Sequence, residues 1–347
     1  MKQNLFSDSG RFYKVNLHSH TTLSDGSTTP EQTKEKYKSM GYDAVAFTEH
    51  KWNYDVRYLN DEEFLAIRAY EYDIQNKHKR MVNDVEHYLH VEHAHFNFFA
   101  RDPENNKIVC VAREKIPPKF ADKLDKLDEL GVNIVGGPTF HQEFTIPCLN
   151  RIIKTAKENG FVVVYNHPNW SMNEYPLYSK LEGLDGFEMI NGATNRETNM
   201  GYNPYVYEEM LRTGMRLSTI AAGDDNHKYA DMGQAYTMIK ADALTQEAII
   251  ESFAKGNCYV SEAPEIKELY VEDGVVTIKT SEAKGIFLHT VGRRTACALA
   301  DEDGQYVTEA SFKLESEDYF FRITVKDEKG RHANTRAYYL DEIESMK

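Results

Sequence analysis

Apolar runs and amphipathic stretches alternate through roughly the first 263 residues, and the alternation sets the expected elements. Val15-Asn16-Leu17 reads as a short strand that ends in His18-Ser19-His20. Thr29 suits an N-cap, Pro30 the first helical position and Gln32 the capping-box position, which predicts a helix to about Met40 with Gly41 as its stop. Ala44 to Thr48 is an apolar run that fits a buried strand, and it ends at Glu49-His50. Asp61 to Ile67 reads as helical. Ala69 to Tyr72 reads as a strand end carrying Glu71, and the polar stretch from Gln75 to His90 as an inserted loop or hairpin. Ala94 to Phe99 predicts a strand. Leu124, Leu127 and Leu130 predict an amphipathic helix over Phe120 to Leu130, and Val132 to Val135 a strand. Further along, helices are expected over 149–159, 205–213 and 245–255, and strands over 161–165, 186–190 and 216–222.

The rhythm changes after about Pro264. Short strand candidates follow one another over 268–272, 275–280, 286–291, 310–314, 320–326 and 336–340, with no helical pattern between them. Glu272-Asp273-Gly274 is a hairpin signal between the first two. The expected architecture is therefore α/β, with a parallel, strand-helix part over residues 1–263 and a small all-β, sandwich-like domain over 264–347. About seven strand-helix units suit a barrel better than an open sheet, and the C-terminal ends of barrel strands are where active sites are built.

Composition narrows the function. A net charge of −14 argues against a nucleic-acid backbone as the main partner, which would need clustered Lys and Arg. It leaves room for a small anionic substrate held by metal ions. Cys110, Cys148, Cys258 and Cys297 are widely spaced, without a Cys-x-x-Cys, and read as free thiols of a reducing compartment. The first residues lack the apolar run of a signal peptide, and no stretch approaches the length of a membrane span, so a cytoplasmic protein is expected.

The chemistry collects at the strand ends. Alternation along a strand puts His18 and His20 on one face, where two imidazoles make a pair of metal ligands. Asp25 lies in the turn-like run that follows and could reach back to them. His50, Glu71, His95, His167, Asp225 and His227 complete the candidate set, most of them at the ends of apolar strands. His87, His90 and His93 compete with His95 for its role. Imidazole mixed with carboxylate suits zinc, manganese or iron, and a bridging carboxylate suits paired ions. Lys51, Arg196 (expected in the loop after Asn191) and His141 are candidates for substrate contact, while His289 and His332 read as structural or surface residues.

Order and context resemble the polymerase and histidinol phosphatase (PHP) superfamily of metallohydrolases over roughly residues 12–263. The matching segments are Leu17-His18-Ser19-His20 with Ser24-Asp25-Gly26, then Gly41-Tyr42-Asp43 running into Thr48-Glu49-His50. Tyr70-Glu71, His95-Phe96-Asn97, Asn166-His167-Pro168 and Asp225-Asn226-His227 follow. The resemblance implies a distorted seven-stranded β/α barrel with two or three divalent ions. It would place His18, His20, Glu71 and Asp225 on one ion, Glu71 with His95 and His167 on a second, and Asp25, His50 and His227 on a third. Members of the family usually have Asp where this chain has Glu49, which predicts altered hydrogen bonding around the ligands rather than loss of metal.

The implied activity is phosphoester hydrolysis of a small phosphorylated metabolite or nucleotide by a metal-bound hydroxide, with Asp225 or His227 moving a proton. Two alternatives remain at this stage. The same centre could act on carboxyl esters or carbamates. The chain could also be a non-catalytic binding or scaffold protein that works through the β domain.

Overall fold

The computed structural model describes residues 2–111, 134–136, 140–302 and 304–346, with the backbone alone at 77–80 and 87–91. The helix expected over 120–130 lies outside them. The chain begins with β1 (Lys2–Asn4) and β2 (Arg11–Asn16), then α1 (Pro30–Ser39) and β3 (Ala44–Phe47). The α1 start is the one expected. Thr29 Oγ1 accepts from the Gln32 N–H, and the Gln32 side chain accepts from the Thr29 N–H. A left-handed Gly41, φ +74°, follows the last turn.

The next segment differs from expectation. No helix covers 61–67. A short 3₁₀ turn at Arg57–Leu59 leads into β4 (Leu65–Val82). Phe64, Leu65, Ala66 and Ile67 are all buried, and residues 65–68 pair in parallel with Ala44–Phe47. Burial on both faces removes the polar stripe that a surface helix needs. β4 continues far past Glu71 and turns at Asn83-Asp84, both at positive φ, into β5 (Val85–Ala100). The polar stretch is thus the outer part of one long hairpin. Glu71 sits within a strand rather than at its end.

After β5 come β6 (Ile108–Val109), β7 (Ile134–Val135), α2 (Ile146–Glu158), β8 (Phe161–Tyr165), α3 (Tyr175–Tyr178), β9 (Gly186–Asn191), α4 (Gly192–Thr198), α5 (Pro204–Arg212), β10 (Thr219–Gly223), β11 (Tyr236–Ala241), α6 (Gln246–Ala254) and β12 (Cys258–Ser261). Strands with a few short 3₁₀ turns follow: β13 (Ile266–Glu272), β14 (Val275–Ala283), β15 (Gly285–Thr290), β16 (Thr295–Leu299), β17 (Val307–Lys313), β18 (Phe320–Lys326), β19 (His332–Thr335) and β20 (Tyr338–Tyr339). Asp273 and Gly274, both at positive φ, form the expected tight turn between β13 and β14.

One large sheet runs in the order β10-β9-β8-β5-β4-β3-β2-β11-β12-β19-β18-β15-β16. From β10 to β2 its pairings are parallel except at the two edges of β5, where the long hairpin enters. The two ends of this run approach each other. Ser19 bridges Asn226 in parallel fashion, the His20 N–H donates to the Asn226 carbonyl (3.1 Å), and the Asp225 N–H donates to the His18 carbonyl (2.8 Å). Among the described residues no continuous ladder joins β10 to β2. A second sheet, β1-β13-β14-β17, lies in the C-terminal part and recruits the N-terminal strand. All four cysteines are free thiols, and no described helix is long and apolar enough to cross a membrane.

Candidate metal centre

The segments just beyond β2, β3, β8 and β10 converge with the middle of β4 and β5. The first determinant is the strand pleat. Asp73 pairs with His95 and Glu71 with Asn97 across the hairpin, so Glu71, Asp73 and His95 share a face. His95 Nδ1 lies 3.1 Å from Glu71 Oε1. The His93 ring lies one pair further out, 5.9 Å from the His95 ring. His87 and His90 have no described side chains. The second determinant is close backbone approach. A Cβ on Gly223 would lie 2.5 Å from the His18 backbone nitrogen, so only glycine lets β10 pass the first histidine.

Glu71, 1% exposed, is the hub. Its carboxylate has His18 Nε2 at 3.3 Å, His20 Nε2 at 3.5 Å, His50 Nδ1 at 3.3 Å and His167 Nε2 at 3.2 Å. Asp225 Oδ1 stands 3.1 Å from His20 Nε2 and 3.4 Å from His18 Nε2. Asp25 Oδ1 is 3.6 Å from both His20 Nδ1 and His227 Nε2, and Asp25 Oδ2 is 3.4 Å from His50 Nε2. Three overlapping groups have ligand atoms within 4.8 Å of one another: His18-Glu71-His167, His18-His20-Asp225 and His20-Asp25-His50-His227. The partition differs from the one the resemblance implies, because His18 and His20 are each shared between groups. Asp225 (φ +49°) and His167 (φ +23°) hold unusual backbone conformations, and each is pinned by a backbone bond, to the His18 carbonyl and the Glu188 carboxylate respectively.

Three buried ring nitrogens in this cluster, His18 Nε2, His20 Nε2 and His50 Nδ1, make no hydrogen bond. A buried polar group left so costs on the order of 1–3 kcal/mol, and an unpaired buried ion several kcal/mol. Carboxylate oxygens stand 3.1–3.5 Å from each of the three nitrogens, close but not aligned for a hydrogen bond. A divalent cation satisfies them together, and the mixed imidazole-carboxylate donor set fits one.

The hydrogen bonds behind the ring atoms agree. His18 Nδ1 is 2.7 Å from Glu188 Oε1. A carboxylate only accepts, so Nδ1 carries the proton and Nε2 presents its lone pair to the cluster. His227 Nδ1 likewise donates to the Asp225 carbonyl (3.0 Å), leaving Nε2 toward Asp25. Without a cation, the carboxylates draw protons onto the histidines. Burial opposes protonation of His18, but Asp225, Glu188 and Glu71 outweigh it and push its pKa well up. Burial also opposes protonation of His227, but Asp25 and Asp225 raise it to about 9. His20 goes the other way, to about 4, from burial and the nearby His50. Burial works to raise the Glu71 carboxyl, and His95 and His18 more than reverse this.

Several participants escaped the sequence reading. Glu188 bonds His18, accepts from the His167 N–H (3.0 Å) and from Asn191 Nδ2 (3.1 Å). Asn191 also donates to Asp225 Oδ2 (3.1 Å), and Asn166 to Glu71 Oε1 (2.9 Å). The available signal was a lone acid in β9, where every residue is buried. Glu49, which the sequence does predict to act through hydrogen bonds around the ligands, stands behind them, accepting from the Thr21 N–H (3.1 Å), Thr21 Oγ1 (2.6 Å) and Ser24 Oγ, and so holds the turn between His20 and Asp25.

The three expected substrate contacts fare differently. Lys51 Nζ pairs with Asp73 (2.8 Å), which also faces His50, so Lys51 borders the centre but is engaged. Arg196 lies in α4 rather than a loop and pairs with Asp231 (3.0 Å), whose other oxygen accepts from the His227 N–H (3.1 Å). Arg196 therefore steadies the His227 segment. His141 is exposed, and none of its contacts among the described residues reaches the cluster. Trp170, 40% exposed, stands with its ring 5.1 Å from that of His167 and 5.7 Å from that of His95, forming one wall of the site.

No family model and no curated protein matches this chain. Solved structures do show likeness. A two-domain protein of Bacteroides vulgatus, described as containing a predicted PHP-like metal-dependent phosphoesterase, is 14% identical with a TM-score of 0.43, covering 96% of this chain and 89% of its own. A protein of Bifidobacterium adolescentis assigned as a metal-dependent phosphoesterase is 18% identical, TM-score 0.34, covering 64% and 89%. An amidohydrolase of Chromobacterium violaceum with bound sulfate and no metal is 13% identical, TM-score 0.34, covering 62% and 87%. TM-scores this low transfer neither activity nor substrate, and the resemblance of this chain to the PHP group stands on its motifs.

Proposed function

We propose that this chain is a metal-dependent phosphoesterase that hydrolyses a small phosphorylated metabolite or nucleotide. The observation that carries the reading is the convergence of the unbonded nitrogens of His18, His20 and His50 on the Glu71 carboxylate. His18, His20, Asp25, His50, Glu71, His95, His167, Asp225 and His227 are the proposed ligands of two or three zinc, manganese or iron ions. The sheet run from β10 to β2 would be a distorted seven-stranded barrel, and residues 264–347 a separate β domain.

Such ions supply a water of lowered pKa and neutralise charge on phosphoryl oxygens. The chain's own contributions follow from its geometry. Glu71 fixes the spacing of the groups by standing between them. Glu188 sets the His18 tautomer. Asp225 or His227 would move a proton at the reacting groups; His227 lies at the open edge, its side chain 41% exposed, with Nδ1 held on the Asp225 carbonyl and Nε2 facing Asp25 at 3.6 Å. Lys51 and Asp73 set the charge at the mouth, and Trp170 limits water on one side.

Elemental analysis of protein purified without chelators, followed by a substrate panel, tests the reading. Two or three equivalents of a divalent transition metal and phosphate release from monoesters are expected. Metal content near zero after reconstitution, or turnover of carboxyl esters or carbamates alone, would overturn it.

A further inference from the structure

A cavity of about 400 Å³ lies away from the metal cluster, between α5 and the face of the large sheet formed by β15, β18 and β19. The strand pleat builds it. In β18, Ile323 and Val325 point into the apolar core of the C-terminal part, so Arg322, Thr324 and Lys326 take the other face. In β15, Ile286 and Leu288 are in that core, and Phe287 and His289 face with the cations; His289 pairs directly with Arg322 and Phe287 with Thr324. α5 covers this face only in part, presenting Glu208 and Arg212 to the same space.

The wall chemistry is unusual for a chain of net charge −14. Arg212, Arg322 and Lys326 face one carboxylate, Glu208. Arg322 is only 3% exposed. Its Nε bonds Glu208 (2.5 Å) and its Nη1 bonds Thr324 Oγ1 (3.0 Å), while its Nη2 has no acceptor among the described residues. Lys326, exposed at the rim, has no ion-pair partner among the described residues, and neither ring nitrogen of His289 is bonded there. Glu208 Oε2 is buried without a hydrogen bond and has only Arg212 at 3.6 Å. Nη2 is not among the fully buried unbonded atoms, so it opens onto the cavity, where solvent or a ligand can reach it. The planar fork of arginine matches phosphate and carboxylate oxygens, and threonine hydroxyls add donors. Phe287 and Tyr205 supply apolar surface beside these groups, and the volume suits a small molecule.

We propose that this cavity binds a small organic anion, a phosphate or carboxylate carried on a flat apolar body, at a site separate from the metal centre. The proposal is independent of what the metal centre does.

Calorimetric titration of the intact, metal-loaded chain with phenylphosphonate and with phthalate tests it, comparing the wild type with Arg212→Ala/Lys326→Ala. Both changed residues are exposed enough for the variant to fold, and neither touches the metal cluster. The wild type is expected to bind at least one probe, the preferred one telling a phosphate ligand from a carboxylate. The double variant is expected to bind about tenfold more weakly with phosphoester hydrolysis unchanged. Identical isotherms for the two proteins, no binding of either probe, or hydrolysis falling in step with binding would overturn the proposal.

Discussion

Histidine stands beside charge in two regions of this molecule, in opposite electrostatic company. At the metal cluster, His18 is fully buried among Asp225, Glu188 and Glu71, and its pKa is driven up despite burial. In β15 of the large sheet, half-buried His289 lies against Arg322, and burial together with that guanidinium brings its pKa down to about 3. In the first environment the carboxylates favour a proton on His18 and, on the proposed reading, a metal ion beside it. The second keeps its imidazole neutral beside cations that the proposed anion would meet. The sign of the neighbouring charge, rather than burial, separates the two.

The sharpest way to break this contrast is to change the hub of the first region. Glu71→Gln should abolish tight metal binding and lower hydrolysis by roughly 10³-fold or more; elemental analysis with a kcat measurement reads it, and retention of metal with activity within tenfold of wild type would put the centre elsewhere. Asp25→Asn addresses the more exposed group with His50 and His227. Loss of one metal equivalent and a fall of about 10–100-fold are expected, with the remaining metal held by the buried groups; simultaneous loss of all metal would show that the groups do not act separately. Glu188→Gln keeps the shape but weakens the acceptor behind His18. Metal affinity should drop by about tenfold in a competition titration with a chromogenic chelator, whereas unchanged affinity would reduce Glu188 to a packing role.

The smallest effect belongs to the second region and depends on pH. The folded pKa of His289 lies below its unfolded value of about 6.5. As pH falls below that value the unfolded chain takes up the proton first, so the folded state loses stability. At pH 5.7 the loss amounts to about 1 kcal/mol relative to pH 8. Urea denaturation of wild type and His289→Leu at both pH values should show this increment in the wild type alone. Equal pH dependence in the two proteins would mean that His289 is solvated and that Arg322 does not act on it.

Much of the site was legible because its residues sit where simple rules place them. His18 and His20 share a face through strand alternation, and His50, His167 and Asp225 follow apolar runs. Glu188 was less visible because one acid within Gly186–Asn191 has no partner nearby in sequence; the histidine it orients is 170 positions away. The misread stretch at 61–67 has a similar cause. Leu65-Ala66-Ile67 becomes a strand because Ala44–Phe47 offers it an edge, and local propensity yields to that pairing.

By itself the sequence determined the local features. They include the capped helix from Pro30, the Asp273-Gly274 turn, the apolar strands and the supply of imidazoles and carboxylates at their ends. These follow from short-range sterics and periodicity, which act over a few residues. Tertiary structure alone decided that Glu71 would stand between His18, His20, His50, His95 and His167, that Lys51 and Arg196 would be tied to Asp73 and Asp231, and that Arg322 would line a cavity with Nη2 open to it. Those outcomes depend on which strands become neighbours and on how completely α5 covers the sheet. The energies involved, desolvation of charge and pairing across distant segments, arise only once the chain has closed around them.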